Sequence, residues 1–225
     1  MKLNPEEIHI WSTIIDERYA TLLSNSFLSV NEKRNAARYT YDIDGYLYSV
    51  RHNLLRIILS NYLDCDPLKI KFNSNHYQKP HIAFPNTNIQ YNISSSSNRF
   101  VAAFCQYNIV GIDIELIRHI DDISQLTKDY FTKQETTWIK SQSKSMTDAA
   151  FFEIWSKKES LIKANGNGLN IELNTIDVLS DKPIEIGANE WYITALNLFD
   201  DCAVAISLNS TNARFSFYDI DSLLK

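Results

Sequence analysis

The chain has 225 residues, 44% hydrophobic and 12% aromatic, enough for one large domain or two of roughly 100 residues each. Its 22 basic and 27 acidic side chains leave a net charge of −5, which excludes a global attraction to nucleic acid or an anionic membrane surface. No run approaches the roughly 20 apolar residues of a membrane span, residues 1–10 carry Lys2, Glu6 and Glu7 rather than a secretory signal, and the widely spaced Cys65, Cys105 and Cys202 read as reduced thiols of a cytoplasmic protein.

In chain order, residues 8–15 read as a first strand. Asn31 is a plausible N-cap for a polar-basic helical segment that carries Lys33, Arg34 and Arg38. Apolar residues recur at helical spacing from about Asp44 to Leu63, which predicts a core helix with Arg51 and Arg56 flanking its apolar stripe. A short strand at 70–72 follows, then a turn over 77–82 in which Pro80 restricts Lys79. Three strands are expected at 89–93, 100–105 and 109–115, separated by polar turns at 94–98 and 106–108. Helices are expected at 121–130 and 133–140, then a Lys/Ser/Gln-rich loop at 141–145 and a second core helix at 149–164 closed by Gly166 and Gly168. The tail alternates in three further strands at 184–186, 191–198 and 203–208. Each half therefore carries a long apolar helix followed by strands, a faint two-fold echo with its junction near residues 106–112.

Two stretches carry chemistry. In Val110-Gly111-Ile112-Asp113-Ile114-Glu115 the strand period of two puts both acids on one face. Clustered carboxylates are costly unless a positive group lies between them, and Mg²⁺ takes one or two carboxylates together with substrate phosphates. Taken alone, the pattern also fits an edge strand with two acids on its solvent face. The second stretch, Phe152 to Lys163, places Trp155, Glu159 and Lys163 four apart along one helical face. Alone, this pattern also describes a core tryptophan and a surface Glu–Lys pair. The five histidines have no metal-ligand spacing, and there is no phosphate-binding glycine loop, dinucleotide fingerprint or nucleophile elbow.

Together, G-I-D-I-E, W-S-x-K-E-S-x-x-K and G-x-G-L resemble the Sfp-type 4′-phosphopantetheinyl transferases. Tyr77-x-Lys79-Pro80, Asn92-Ile93-Ser94 and Phe131-x-Lys133-x-Glu135 follow the same family order. The resemblance implies an α+β fold of two pseudo-symmetric α/β halves, 1–108 and 109–225, with the active site in the cleft between them. It implies a cytoplasmic, monomeric enzyme that moves phosphopantetheine from coenzyme A to a serine of an acyl, peptidyl or aryl carrier protein. Adenosine 3′,5′-bisphosphate is the other product. Neither nucleic acid nor membrane is implied as a partner.

Carried over by position, Asp113, Glu115 and Glu159 would hold Mg²⁺, and Lys163 would reach the diphosphate. Lys79, beside Pro80, would meet the nucleotide end, and Ser94 would bond a phosphate. Glu135 or Glu159 would be the general base. Lys158 would play a supporting part. Where the family commonly has histidine after N-I-S this chain has Ser95, which can donate a hydrogen bond but brings no charge. Of the basic residues around the 3′-phosphate, Lys33 matches, the next position falls near Ala36, and Arg38 or Arg51 could stand in. Lys133, Lys140 and Lys144 form a candidate docking region for an acidic carrier protein. The alternative is a carrier-protein-binding member of the family with weak or no transferase activity. A metal-dependent phosphodiester hydrolase would explain the carboxylates but not the Trp155–Lys163 face.

Overall fold

A computed structural model describes residues 1–24, 26–166 and 172–223. The chain begins with strand β1 (Glu7–Ile14), passes through the short helices α1 (Thr21–Ser24) and α2 (Val30–Ala36), and enters the long helix α3 (Asp42–Leu63). A hairpin of β2 (Lys71–Ser74) and β3 (Pro80–Phe84) precedes β4 (Ile89–Ser96), β5 (Arg99–Gln106) and β6 (Val110–Leu116). Helices α4 (Ile123–Tyr130), α5 (Lys133–Ser141) and α6 (Thr147–Asn165) follow, then β7 (Ile184–Ile186), β8 (Asn189–Leu196), β9 (Cys202–Leu208) and β10 (Arg214–Asp219).

The strands form two four-stranded sheets, ordered β10-β1-β5-β4 and β6-β9-β8-β7, beside the β2–β3 hairpin. Alternation divides the first sheet between two cores. Trp11, Phe100, Ala102 and Phe104 pack with Leu54, Ile58 and Leu59 of α3. Ile8, Ile10, Val101, Ala103 and Cys105 pack with Ile112, Ile114, Val204 and Ile206 of the second sheet. Helix α6 lies on β6 and β9, so each half is a sheet with one long helix upon it, the α+β build expected. No helix among the described residues is long and apolar enough to cross a membrane.

Several local expectations change. The cap of α2 is Ser29 rather than Asn31, and it forms a reciprocal capping box with Glu32. Arg56 does not flank the stripe of α3 from solvent. It is buried, ion-paired to Glu32 at 2.8 Å, and donates to the carbonyls of Pro67 and Ile70 at 2.8 and 2.9 Å. The serine run is not a turn from residue 94 onward, because β4 stays paired with β5 as far as Ser96–Arg99. Its hydroxyls find partners, so nothing forces the strand to stop before Ser97, which takes a positive φ of 53°. Strand β10, absent from the sequence reading, pairs in parallel with β1, so the last strand returns to the first half's sheet. Of the two glycines expected to close α6, Gly166 forms the left-handed C-cap at φ 71°. Gly168, with Leu169, lies outside the described residues.

Candidate active site

Gly111, Asp113 and Glu115 share the face of β6 that α6 covers. A Cβ at Gly111 would collide with the backbone of Ser160 and Ala164, so only glycine admits this approach. The helix runs antiparallel to the strand and engages it at both ends. Trp155 Nε1 donates to Glu115 Oε1 at 3.2 Å, and eight residues later Lys163 Nζ donates to Asp113 Oδ1 at 2.6 Å. Glu159 stands between them on the same helical face. The sequence spacing that aligned Trp155, Glu159 and Lys163 therefore brings three α6 side chains to the two acids of β6.

The opposite wall is β4. Its alternating polar residues Asn92, Ser94 and Ser96 face β6 across the seam between the two sheets. Asn92 Oδ1 accepts from the Ile112 amide at 2.8 Å, and Ser96 Oγ accepts from the Leu116 amide at 3.0 Å. Between them Ser94 Oγ donates to Asp113 Oδ1 at 3.0 Å and accepts from Lys163 Nζ at 2.7 Å. Ser94 thus contacts the site's own carboxylate and ammonium. The period-two polar pattern Asn92-x-Ser94-x-Ser96 was the available signal for the other two seam residues, and it was hidden by reading residues 94–98 as a turn.

Charge is concentrated here. Asp113 is only 3% exposed, and its Oδ2 is buried without a hydrogen-bond partner. Burial first, then the neighbouring Asp113, pushes the Glu115 carboxyl above its ordinary range. Burial and the charges of Asp113 and Glu115 push Glu159 to about 6, against the pull of Lys163. Lys163, with Arg118 acting on Glu115, therefore faces three carboxylates, one of which has an oxygen without a hydrogen-bond partner. Among the described residues no three of His, Cys, Asp and Glu are drawn together as a ready metal cage. The resemblance has Asp113, Glu115 and Glu159 share Mg²⁺ with substrate phosphates and water, so it does not require these three side chains to form a closed cage by themselves.

Beside Lys163 opens a cavity of about 300 Å³ lined by Tyr77, Gln78, Lys79 and Pro80 on one side, Asn92 and Ile93 on another, and Ile162, Lys163 and Gly166 on the third. Pro80 is part of its wall. Lys79 lines the cavity too, and its ammonium donates to the carbonyls of Val110 and Ala164 at 3.1 and 2.8 Å. Ser95 points to the other face of β4 from Ser94, opposite Phe100. Lys33 and Arg38 are exposed on α2 and just beyond it, and Arg51 Nη2 donates to the Ser97 carbonyl at 2.6 Å with its Nε unpartnered.

Glu135 is corrected as a candidate base. It is fully buried and caps α5 reciprocally with Thr132. Its Oε1 accepts from the Val178 amide at 2.9 Å, and its Oε2 lies 2.9 Å from Lys158 Nζ. Lys158, also buried, donates to the carbonyls of Leu173 and Ile176 at 2.7 and 2.6 Å. Fully buried and already accepting from the Thr132 and Val178 amides and paired to Lys158, Glu135 is committed to internal partners. The pair instead ties α5 and α6 to the segment before β7.

Residues 109–206, which hold β6, α6 and the carboxylates, match the family described as the 4′-phosphopantetheinyl transferase superfamily. The chain is 27% identical over 213 residues to the 4′-phosphopantetheinyl transferase HetI of Nostoc sp., covering 92% of this chain and 90% of that one. It is 36% identical over 154 residues to the 4′-phosphopantetheinyl transferase gsp of Aneurinibacillus migulanus, covering 67% and 62% of the two chains. It is 30% identical over 154 residues to the 4′-phosphopantetheinyl transferase Sfp of Bacillus subtilis, covering 68% and 66%. On these likenesses, and with the two matching stretches built into one site, the chain belongs to the 4′-phosphopantetheinyl transferase superfamily.

Proposed function

We propose that this chain transfers 4′-phosphopantetheine from coenzyme A to a serine of a carrier protein, with the cavity beside Lys163 as the coenzyme A site. The observation that carries the reading is the buried Asp113, held at Oδ1 by Lys163 and Ser94 and free at Oδ2, with Glu115 and Glu159 alongside. Such a surplus of carboxylate oxygen fits Mg²⁺, which would be held by Asp113 with Glu115 or Glu159, the substrate diphosphate and water. When bound, the ion supplies positive charge to the diphosphate oxygens as the bridging P–O bond breaks.

The chain's own residues do the rest. The serine oxygen of the carrier attacks the phosphorus that bears pantetheine. Glu159, raised to about 6, takes the serine proton, and Lys163 stabilises charge on the departing adenosine 3′,5′-bisphosphate. Ser94 and Asp113 hold the Lys163 ammonium at the mouth of the cavity until substrate competes for it. Trp155 keeps Glu115 in place through its indole N–H. One chain supplies both walls of the site, which supports action as a monomer. Three free cysteines fit the reducing cytoplasm. Lys133, Lys140 and Lys144 are exposed beside the exposed Tyr130 and Met146, a surface that suits an acidic, partly apolar carrier helix.

The test is product identification. The protein, coenzyme A and Mg²⁺ are incubated with several apo carrier proteins, and intact masses and released nucleotide are measured together. A mass gain of one phosphopantetheine with equimolar adenosine 3′,5′-bisphosphate supports transfer. Nucleotide release without a carrier would indicate a hydrolase instead. Binding of carrier and coenzyme A without either product would indicate the binding-only alternative, which Ser95 favours because it brings no charge to the phosphate.

A further inference from the structure

The tip of the β2–β3 hairpin crosses the cleft and grips the C-terminal end of α6. Asn75 Nδ2 donates to the Gly166 carbonyl at 3.2 Å, and Lys79 Nζ donates to the Ala164 carbonyl at 2.8 Å and the Val110 carbonyl at 3.1 Å. The tip is itself closed. Asn75 Oδ1 accepts from the amides of Tyr77 and Lys79, both at 2.9 Å, and the Asn75 amide donates to the Lys79 carbonyl at 3.0 Å.

A helix ends with unpaired carbonyls and a partial negative charge, so a cation placed there satisfies both. Burial depresses the Lys79 ammonium to about 8, and the Val110 and Ala164 carbonyls accept two of its N–H bonds. The two carbonyls also belong to the site's framework. Ala164 directly follows Lys163, and Val110 opens the strand that carries Asp113. One ammonium therefore fixes the end of the helix bearing Lys163 against the start of the strand bearing Asp113.

Resting on the transferase reading, we propose that Lys79 is a positioning residue that acts through Lys163. By clamping the last turn of α6 to β6 from the other half of the chain, it sets the 2.6 Å reach of Lys163 to Asp113 and the width of the coenzyme A cavity. This role differs from a contact with the nucleotide, and the two predict different kinetics. A nucleotide contact governs coenzyme A binding. A clamp on Lys163 governs turnover.

The experiment compares Lys79→Met, Asn75→Ala, Lys163→Met and the Lys79→Met/Lys163→Met pair in the full chain. It measures kcat, the coenzyme A KM and amide hydrogen exchange along α6. The clamp predicts a fall in kcat of about tenfold or more for Lys79→Met, with KM changed less than about threefold. It predicts a smaller fall of the same kind for Asn75→Ala. In the Lys163→Met background the effect of Lys79→Met on kcat should vanish, because residues acting through one another are not additive. Exchange at residues 163–166 should quicken in both hairpin variants.

A raised KM with unchanged kcat, or full multiplication of the two losses, would overturn the proposal. If the wild-type chain transfers nothing to any carrier, the functional reading fails by itself. Unchanged exchange at 163–166 in both Lys79→Met and Asn75→Ala would then overturn the clamp separately.

Discussion

Lys163 holds Asp113 by one carboxylate oxygen and leaves the other without a partner. Nζ lies 2.6 Å from Oδ1, whereas Oδ2 is buried and unbonded. An ammonium neutralises much of the cost of the buried carboxylate, and the free oxygen remains available to a second positive group. Under the proposed transfer, one residue therefore serves as internal counter-ion before substrate arrives and as substrate cation afterwards. Lys163→Met should lower kcat by about 10²–10³, the range seen when one charge-stabilising donor is removed. Lys163→Arg should recover only part, since a planar fork does not replace a compact ammonium between Ser94 and Asp113. Steady-state transfer kinetics check both.

Glu159 gives a pH dependence of known sign. Its carboxyl titrates near 6 in the folded chain against an ordinary value of 4.5, so between these pH values the folded state binds more protons than the unfolded state. Its contribution to stability is present below pH 4.5 and is lost as pH rises through 6. Without Mg²⁺, thermal unfolding of Glu159→Gln should lack this loss, and at pH 7 its Tm should exceed that of the wild type by about 2–4 °C, the shift given by roughly 1 kcal/mol in a chain of this size. The same variant should be nearly inactive. A Tm below the wild type at pH 7 would show that the three carboxylates do not repel one another.

Glu135 separates structure from chemistry. Breaking a buried ion pair by removing one partner costs about 3–5 kcal/mol, so Glu135→Ala should unfold far below the wild-type temperature. Glu135→Gln keeps an acceptor for the Val178 amide and should retain kcat per folded molecule within about threefold, since no proton passes through this residue. A loss of 10³-fold or more in a well-folded Glu135→Gln protein would restore it as the base.

Gly111 tests the packing that brings strand and helix together. Adding one methyl drives a Cβ to within 2.8 Å of Ala164 Cα and closer still to its amide nitrogen. Gly111→Ala should cost about 1–3 kcal/mol by overpacking and also lower kcat, because α6 must move away from the strand it serves. Thermal unfolding and transfer rate would both report it. The contrasting substitution, Gly187→Ala, alters a glycine with open space around it and is remote from the site; it should affect stability through its positive φ of 64° but leave kcat unchanged.

Much of this was legible because it depends on short-range periodicity. Period two placed Asp113 and Glu115 on one face of β6, and period four aligned Trp155, Glu159 and Lys163 on α6. What periodicity does not encode is which partner a side chain meets across the fold. Glu135 was a candidate base in a family element, yet the tertiary fold gives it Lys158 and the Val178 amide. Lys79 was expected to meet the nucleotide end beside Pro80, and sequence spacing gives no sign of the two carbonyls it reaches across the fold. Strand β10 was missed although Arg214-Phe215-Ser216-Phe217 alternates, because the run is short and its pairing to β1 spans almost the whole chain. A serine run reads as a turn until its hydroxyls acquire partners on another strand, as those of Ser94 and Ser96 do.

Under the proposed function, phosphopantetheine transfer runs through the Asp113 carboxylate with a divalent cation. Its most direct test is single-turnover transfer to an apo carrier protein, followed by intact mass while Mg²⁺ is titrated, in the wild type and in Asp113→Asn. Asparagine keeps the size and an acceptor for Lys163 but removes the charge on the free oxygen. Saturable Mg²⁺ dependence in the wild type, with a loss of at least about 10²-fold in Asp113→Asn, is the predicted result. Transfer that needs no divalent cation, or that proceeds equally in Asp113→Asn, would contradict it.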